Sequence, residues 1–315
     1  MRLLALLLAA SRAAALVSQW TCTPSPGASS PALPSGVHFG QLICNSSAIP
    51  LFGKAGPLNV SYLSVDLTLP SLRLVPVVNA SLATIPEMAA ALPSRKLWGG
   101  VNGGYFWRLD SKSFIDGVCL GKSRADALAP PSAATPNTGV GDGAIVSAGS
   151  LLASNCDCLG YSRPAVISLN GSATRIDVVG RGAAPPAGLA LDSLAAGPNL
   201  VSSNASGPFI NIPKDDDNIG NILEHSANTG IGLLQNGTAL LVTTDGYDGC
   251  SGLDATCGAN AFTLAYLLKD FFGVASAMGC DQGGSTTMFV RGVGTVTNPG
   301  QGIRSVYSGL FIEEL

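Results

Sequence analysis

The sequence predicts an α/β fold: a mixed sheet with many short strands and turns, in a single catalytic-type domain. Glycine (39 residues) and proline (20) are frequent while charged residues make up only 12% of the 315-residue chain, a balance typical of short strands joined by tight turns. A strand–helix–strand pattern between Thr238 and Asp281 further predicts a β-α-β unit near the C-terminus, with a crossover between parallel strands.

The N-terminus has the layout of a secretory signal peptide. Arg2 precedes an apolar run from Leu3 to Ala10, so we expect residues 1–18 to be removed. The alternative, an anchoring helix, is disfavoured because Arg12 leaves the apolar run too short to span a bilayer. Eight cysteines, an even number, also agree with an oxidising compartment. Six N-glycosylation sequons agree with export too, at Asn45, Asn59, Asn79, Asn170, Asn204 and Asn236.

These features predict secretion or residence in the endomembrane lumen (Golgi, lysosome or vacuole). No membrane span is expected after signal removal. A net charge of −3 gives no basic surplus, so nucleic acid is not an expected partner. No oligomeric state is predicted.

The remaining chain divides into two parts. Residues 19–57 are expected to form a flexible leader, rich in proline, serine and glycine, in which a disulfide can form. Residues 58–315 are expected to form the domain. Its first strand is Val60–Leu69, where apolar and polar residues alternate. A short helix should follow at Thr84, which has capping-box spacing to Glu87.

Two hairpins and a longer helix complete the expected elements. The hairpins turn at Asn170-Gly171 and Asn236-Gly237, each flanked by apolar-rich runs. The helix should span Asn260 to Gly273, with Gly273 as its C-cap. The side chains expected on its apolar side are Leu264, Leu267, Leu268, Phe271 and Phe272.

Two carboxylates follow the strands of the predicted β-α-β unit. Asp245 comes directly after one strand and Asp281 after the next. Ligands tend to bind at the carboxyl edge of an α/β sheet, so we expect both side chains at one rim. Glycoside cleavage commonly uses a pair of carboxylates, which makes Asp245 and Asp281 candidate catalytic residues.

Other kinds of site are less well supported. The only histidines, His38 and His225, have no evident partners for a catalytic triad or a zinc site. Cys156 and Cys158 favour disulfide pairing over metal binding in an exported chain. Residues 213–220 resemble the start of a calcium loop but lack its later ligands, which favours a solvated acidic turn. No metal and no cofactor is therefore expected.

Two glycine-rich turns offer a way to bind an anion. Asn102–Tyr105 and Asp281–Thr286 each follow a predicted strand. Glycine lets the main chain approach a phosphate closely, and backbone N–H groups can stabilise its charge. A phosphate ester also leaves readily once its charge is stabilised, which reduces the need for a general acid. The alternative for each segment is a plain tight turn.

The chain also resembles a known family. The motifs "VNGGYFW", "AAGPNLV", "LLVTTDGYDG" and "GCDQGGSTTMFVRG" occur in the order and spacing of the phosphodiester glycosidase family, from about Leu58 to the C-terminus. The resemblance implies hydrolysis of a sugar-1-phosphodiester, with a sugar of the N-acetylglucosamine type. It implies catalytic roles for Asp281 and Asp245. The residues that it implies for substrate or phosphate binding are Asn102, Gly103, Gly104, Gly246, Gly283, Gly284, Ser285 and Thr286.

Three positions depart from the family pattern. Asn228 stands where members carry arginine, Thr263 where they carry glutamate, and Gln282 where they carry glycine. Losing the arginine removes a charge-assisted, bidentate phosphate contact. The basic residues that could replace it are Arg291, Arg304 and Lys122.

Three functional hypotheses follow. The first is a hydrolase that removes a sugar from a sugar-1-phosphodiester or related glycoside, acting on carbohydrate or phosphoglycan, including that carried by glycoproteins. The alternative is a non-catalytic descendant that binds glycans or phosphoglycans in the same cleft, which the three departures favour. A third is a structural extracellular glycoprotein, which composition alone would allow.

Overall fold

The structure is a computed structural model. It describes residues 20–28, 31–47, 57–108, 139–141, 143–153, 163–169, 174–179, 190–212, 222–246, 258–300 and 302–315. Outside these ranges lie the predicted signal peptide, the turn predicted at Asn170-Gly171, Cys156, Cys158, Lys122 and residues 213–220.

Twenty strands are present in the described residues. In chain order, β1 to β10 are Trp20–Pro24, Val37–Ser46, Leu58–Asp66, Leu72–Ala83, Lys96–Asn102, Phe106–Arg108, Gly139–Gly141, Ile145–Ser147, Ser150–Ala153 and Arg163–Leu169. Strands β11 to β20 are Arg175–Val179, Ala190–Ala195, Asn199–Asn204, Gly207–Ile210, Asn228–Leu233, Thr238–Thr244, Ser276–Gly279, Met288–Val290, Gly294–Thr295 and Val306–Glu314. The α-helices are α1 (Ile85–Ala90) and α2 (Ala261–Tyr266).

The strands form one large sheet and several smaller ones. The large sheet has eight strands in the order β1-β2-β3-β16-β15-β17-β13-β14. Two five-stranded sheets have the orders β19-β18-β5-β20-β4 and β11-β10-β12-β8-β9, and β6 pairs with β7. The domain is therefore mostly β, with the many short strands that the glycine and proline content predicted.

The sheets differ from the expected mixed sheet. Every strand pair in the part of the chain that the structure describes is antiparallel. Strands β16 and β17, which flank α2, run in the same direction but are not neighbours, because β15 lies between them and is antiparallel to both. The sequence pattern placed α2 between two strands. It carried no information about β15, which precedes both strands in the chain and lies between them in the sheet.

Two sheets and two helices stack in four layers. The eight-stranded sheet packs on the β19-β18-β5-β20-β4 sheet through a core that includes Leu63, Leu241 and Ile312. On its other face, Leu240 and Val242 pack against α2. Because side chains alternate along a strand, β16 contributes to a core on each face. Helix α1 covers the far side of the smaller sheet, where Phe311 is fully buried.

Both helices begin where the sequence predicted them to begin. The Thr84 hydroxyl accepts the Glu87 N–H (3.4 Å) and the Glu87 carboxylate accepts the Thr84 N–H (2.8 Å), a complete capping box. The Asn260 side chain accepts the Thr263 N–H at 2.9 Å and caps α2.

The second helix ends in a wider turn than the sequence predicted. After α2 the chain continues as a π-helical segment, Leu267–Phe271, in which the Phe272 N–H donates to the Leu267 carbonyl (3.2 Å). The wider turn shifts the side-chain period. Leu264, Leu267 and Leu268 are buried as expected, but Phe271 is exposed. Gly273 then ends the segment with φ +71°, as predicted for the residue after a helix.

The hairpin predicted at Asn236-Gly237 is confirmed, and the strands predicted on either side of residues 170–171 pair with each other. β15 pairs with β16 from Asn228↔Thr244 to Leu233↔Ala239, and Gly237 has φ +87° in the turn. β10 pairs with β11 from Arg163↔Val179 to Ile167↔Arg175. The Asn-Gly turn signal therefore located the hairpin of β15 and β16.

The prediction of a flexible leader before residue 58 is wrong where strands β1 and β2 form, at Trp20–Pro24 and Val37–Ser46. Strand β2 pairs with β3 along eight residues, from Val37↔Val65 to Cys44↔Leu58, and β1 pairs with β2. The expected disulfide joins Cys22 and Cys44 across these strands. Residues from β1 and β2 therefore belong to the large sheet, because their alternating side chains contribute to its cores. Among the described helices, none is long and apolar enough to cross a membrane.

Candidate active site

The candidate site lies at the start of strand β15, where three segments meet. Asp245 directly follows Thr244, which pairs with Asn228. On the other side of β15, the Cys280 N–H donates to the Thr229 carbonyl (2.9 Å), so Asp281 continues alongside the same strand. Neighbouring strands are about 4.8 Å apart, so the two aspartates, separated by one strand, are roughly 10 Å apart at the backbone. The topology thus brings both predicted carboxylates to one end of the sheet, by a different route from the adjacent parallel strands expected.

Asp245 is held by polar groups from two distant segments. Its carboxylate accepts the Asn298 N–H at 2.8 Å and a hydrogen bond from the Asn59 side chain. Burial raises the pKa of Asp245 above the usual value for aspartate, and these two hydrogen bonds lower it only in part. In the described part of the chain, no basic side chain forms an ion pair with Asp245. The site therefore favours a protonated Asp245 more than water does.

Asp281 is fixed mainly through its backbone. Its N–H donates to the Gly103 carbonyl (3.0 Å), and its own carbonyl accepts the Asn102 side-chain amide (2.7 Å). Its carboxylate accepts the N–H of Gln282 at 2.9 Å. The side chain is half-buried. These bonds join the two glycine-rich turns that the sequence singled out, which lie far apart in the chain.

Asn102 uses all the hydrogen-bonding capacity of its side chain. Its amide oxygen accepts the Thr229 hydroxyl (2.6 Å) and the Thr287 N–H (3.1 Å). Its amide nitrogen donates to the carbonyls of Asp281 (2.7 Å) and Gly103 (3.3 Å). The side chain is fully buried, and an asparagine amide offers two donor hydrogens and two acceptor lone pairs. Asn102 therefore ties β5, β15 and the Asp281 turn together, and a direct bond to phosphate would require one of these bonds to break.

Three of the predicted glycines are needed for close packing. The Gly103 N–H donates to the Ser308 carbonyl (2.8 Å), and a Cβ at Gly103 would collide with the Ser308 side chain. A Cβ at Gly104 would lie 2.8 Å from the Ala195 carbonyl oxygen. At Gly246 it would lie 2.8 Å from the Ala227 nitrogen. These positions bring backbone segments together around the site.

The turn after Asp281 differs, because it faces a cation. Gly283 has φ +62°, a conformation that favours glycine, and its N–H donates to the Ala227 carbonyl (2.8 Å). Gly284 lies against the guanidinium of Arg304: a Cβ at Gly284 would be 2.8 Å from both Nε and Nη2. The Arg304 N–H also donates to the Gly284 carbonyl at 3.0 Å. The sequence offered three basic residues that could replace the missing arginine. Of these, Arg304 is the one that the structure places at this turn.

The side-chain hydroxyls of Ser285 and Thr286 in this turn are buried. In the described part of the chain, neither the Ser285 Oγ nor the Thr286 Oγ1 has a partner, and both residues are fully buried. A buried unpaired hydroxyl costs roughly 1–3 kcal/mol, so such groups in a native structure call for an explanation. The sequence analysis expected Ser285 and Thr286 to bind substrate or phosphate, and ligand binding would explain the unpaired hydroxyls.

The three residues that depart from the family pattern are accommodated locally. Asn228 and Thr263 form hydrogen bonds with neighbouring groups, and Gln282 has an ordinary backbone conformation. The Asn228 amide donates to the carbonyls of Ala259 (2.7 Å) and Ser226 (3.1 Å). The Thr263 hydroxyl donates to the side chain of Asn260 (3.0 Å), which also contacts the His225 ring. Gln282 has extended backbone, at φ −115°, and therefore needs no glycine there.

Several neighbours of the site were not foreseen from the sequence. Thr229, Asn59 and Asn298 contact the candidate residues, but none of them lies in a motif that indicates chemistry, and Thr287 lies in the last family motif without having been named as a site residue. Asn59 could be found only from the pairing of β3 with β16, which sets Val60 opposite Thr244 and so brings Asn59 beside Asp245. Of the other candidates, Arg291 is exposed and its guanidinium lies 5.3 Å from the Trp98 ring centre. In the described residues, no cluster of histidine, cysteine, aspartate or glutamate could hold a metal ion.

Comparison with solved structures identifies proteins with the same fold. The catalytic domain of zebrafish N-acetylglucosamine-1-phosphodiester alpha-N-acetylglucosaminidase, auto-inhibited by pro-peptide, superposes with a TM-score of 0.60 at 17% identity, covering 94% of this chain and 88% of that one. A hypothetical protein from Synechocystis gives 0.57 at 12% identity, covering 95% and 69%. A putative exported protein from Burkholderia pseudomallei gives 0.54 at 16% identity, covering 87% and 77%.

A comparison with curated protein sequences finds no match. A family model does match: that of phosphodiester glycosidase covers residues 128–313, more than half of the 315-residue chain. The matched region contains Asp245, Asp281 and the glycine-rich turn that follows Asp281. The chain therefore belongs to the phosphodiester glycosidase family.

Proposed function

We propose that this protein is a secreted or lumenal hydrolase that removes a sugar of the N-acetylglucosamine type from a sugar-1-phosphodiester. The observation that carries the proposal is the convergence of Asp245, Asp281 and both glycine-rich turns at the start of β15. Family membership supports the reaction class. The Cys22–Cys44 disulfide supports an oxidising compartment, because such bonds persist mainly outside the cytosol.

The proposed reaction breaks the bond between the sugar C1 and the phosphate oxygen. That oxygen keeps the electron pair and leaves as a phosphomonoester, while water adds to C1. Asp281 accepts the proton of the attacking water, and Asp245, with its raised pKa, donates a proton to the departing oxygen. Because the two aspartates lie on either side of β15, the proposal places the scissile bond and the attacking water between their carboxylates.

The test measures release of N-acetylglucosamine from a synthetic GlcNAc-1-phospho-6-mannose diester. Wild type should turn over, and Asp281→Asn should lower kcat by roughly 10²–10⁴-fold, the usual contribution of a positioned acid or base. Both proteins should melt at similar temperatures, because asparagine keeps an oxygen that can accept the Gln282 N–H. Equal turnover by wild type and Asp281→Asn would refute the role of Asp281.

A second candidate is a non-catalytic protein that binds glycans or phosphoglycans at the same site. The observation that favours it is Asn228, whose side-chain amide bonds two backbone carbonyls at the position where relatives carry arginine. Titration of wild type with GlcNAc-1-phosphate distinguishes the two candidates. Saturable binding, without turnover of any sugar-1-phosphodiester, would favour the binding protein.

A further inference from the structure

We infer that Arg304 supplies the positive charge that binds the substrate phosphate, at the turn formed by residues 283–286. This assignment rests on the proposed function. It identifies Arg304 as the residue that binds phosphate in place of the arginine that Asn228 replaces. The guanidinium of Arg304 lies directly against Gly284, three residues after the candidate base Asp281 in the same turn.

The position of Arg304 is fixed by the main chain. Its N–H donates to the Gly284 carbonyl at 3.0 Å, and strand β20 begins two residues later at Val306. Residues from β20 are buried in two cores, which anchors one end of the segment. The absence of a side chain at Gly284 leaves room for the guanidinium, because a Cβ there would lie 2.8 Å from both Nε and Nη2. The turn and the arginine are therefore matched in shape.

The charge of Arg304 is available to a ligand. Residue 304 is exposed, and in the described part of the chain no carboxylate forms an ion pair with it. Arg73 and Arg95, in contrast, both bond the carboxylate of Glu313. A guanidinium that no carboxylate neutralises can present two parallel N–H groups to a phosphate.

The site also needs such a cation. Asp281, ionised as the proposed base, would repel a phosphodiester anion brought beside it, unless a positive charge offsets it. Of the three basic residues that the sequence offered, Arg291 stacks on Trp98 and lies outside the turn, while Lys122 falls outside the described residues. Arg304 alone of these is placed beside the Asp281 turn.

The experiment compares four substitutions in the full chain: Arg304→Ala, Arg304→Lys, Gly284→Ala and, as a control, Arg291→Ala. Arg291→Ala removes the same charge from another exposed arginine. Each protein is titrated calorimetrically with inorganic phosphate and GlcNAc-1-phosphate, and assayed with the GlcNAc-1-phospho-6-mannose diester. Melting temperatures verify folding.

We expect Arg304→Ala to weaken GlcNAc-1-phosphate binding by about 10–100-fold, the range for a lost hydrogen bond to a charged group, and to lower kcat/KM for the diester similarly. Arg304→Lys should lose less, because it keeps the charge without the bidentate geometry. Gly284→Ala should also weaken binding, because the added methyl group displaces the flexible guanidinium. Turnover of a neutral aryl α-N-acetylglucosaminide should change less than twofold in Arg304→Ala, since it carries no phosphate.

The outcomes separate this inference from the proposed function. If Arg304→Ala and Arg291→Ala bind phosphate as wild type does, the inference is wrong, whether or not the diester is hydrolysed. If wild type binds GlcNAc-1-phosphate through Arg304 but turns over no diester, the inference stands and the hydrolase proposal fails. Neither binding nor turnover by the folded wild type would overturn both.

Discussion

The two glycine-rich turns of the site lie side by side but differ in how their polar groups are satisfied. In the turn that begins at Asn102, the asparagine side chain makes four hydrogen bonds within the protein. In the turn after Asp281, the hydroxyls of Ser285 and Thr286 have no partner in the described part of the chain, and Arg304 lies against Gly284. A binding site needs both kinds of turn. A saturated turn, in which the polar side chain makes all its hydrogen bonds within the protein, fixes the geometry. An unsaturated turn, in which polar groups have no partner, can bond a ligand.

Asp245→Asn tests the acid beside these turns and has the largest expected effect. Activity on a neutral aryl glycoside should fall by about 10²–10⁴-fold, and less on the diester, whose phosphate leaves with little protonation. Asp192→Asn is the control, because burial raises the pKa of Asp192 as it does that of Asp245, but Asp192 accepts the Ala148 N–H and lies 3.6 Å from Arg73. Equal activity losses in the two variants would contradict a catalytic role for Asp245.

The same substitution gives a stability test with a definite sign. Because burial raises the pKa of Asp245, the folded state binds more protons than the unfolded state just above pH 3.8, and this residue's contribution to stability falls as pH rises through that window. Asparagine removes the ionisation. The melting temperature of Asp245→Asn, relative to wild type, should therefore be higher at pH 7 than at pH 4. A difference that is independent of pH would contradict this account.

Asn102→Ala tests the saturated turn. We expect a loss of about 2–6 kcal/mol in the free energy of unfolding, since four net hydrogen bonds are removed at roughly 0.5–1.5 kcal/mol each. Asn199→Ala is a matched control: this buried asparagine donates to Ser202 and to the Asn211 carbonyl, so about half the loss is expected. Chemical denaturation measures both. A loss at Asn102 no larger than at Asn199 would show that the turn does not depend on this side chain.

Gly283→Ala tests the backbone of the unsaturated turn. Alanine at φ +62° should cost about 1–2 kcal/mol of stability, although no atom lies within 4 Å of the new methyl group. Gly292→Ala is matched in backbone strain, at φ +83° and with open space, but it lies outside the turn. Both variants should lose similar stability, and only Gly283→Ala should also lose diester hydrolysis.

Ser285→Ala has the smallest expected effect on stability. Removing a buried hydroxyl without a partner should leave the free energy of unfolding unchanged or raise it by up to about 1 kcal/mol. Ser193→Ala is the control, because Ser193 Oγ is likewise buried and unpartnered, but lies in β12. If Ser285 contacts substrate, only its variant should lower kcat/KM, by several-fold. Identical kinetics in the two variants would assign Ser285 a packing role.

Local signals in the sequence predicted much of this molecule. Thr84 and Glu87 located α1, and Asn236-Gly237 located the hairpin of β15 and β16, because capping and turn chemistry depend on residues a few positions apart. The position of Asp245 and Asp281 after two strands followed from the same kind of local pattern. The family resemblance, confirmed over residues 128–313, added the reaction class.

Pairing between segments far apart in the sequence could not be predicted from such local signals. Nothing local to β16 and β17 shows that β15 separates them, or that β2 extends the sheet beyond β3. Two hydrogen-bond partners of the Asn102 side chain, Thr229 and Thr287, lie 127 and 185 residues away. The sequence therefore could not show that this side chain makes all its hydrogen bonds within the protein. For the same reason the sequence offered three basic residues near the missing arginine, and only tertiary structure placed Arg304 at the turn.

The placement of β2 in the large sheet has a practical consequence for preparing the protein. A recombinant chain that starts at residue 58 would lack β1, β2 and their disulfide, and would leave β3 as a nine-residue edge strand with unpaired backbone groups. Long exposed edges promote intermolecular pairing. Proteolytic removal of the same segment after folding would carry the same risk of aggregation, so biochemical work should retain the chain from Trp20 onward.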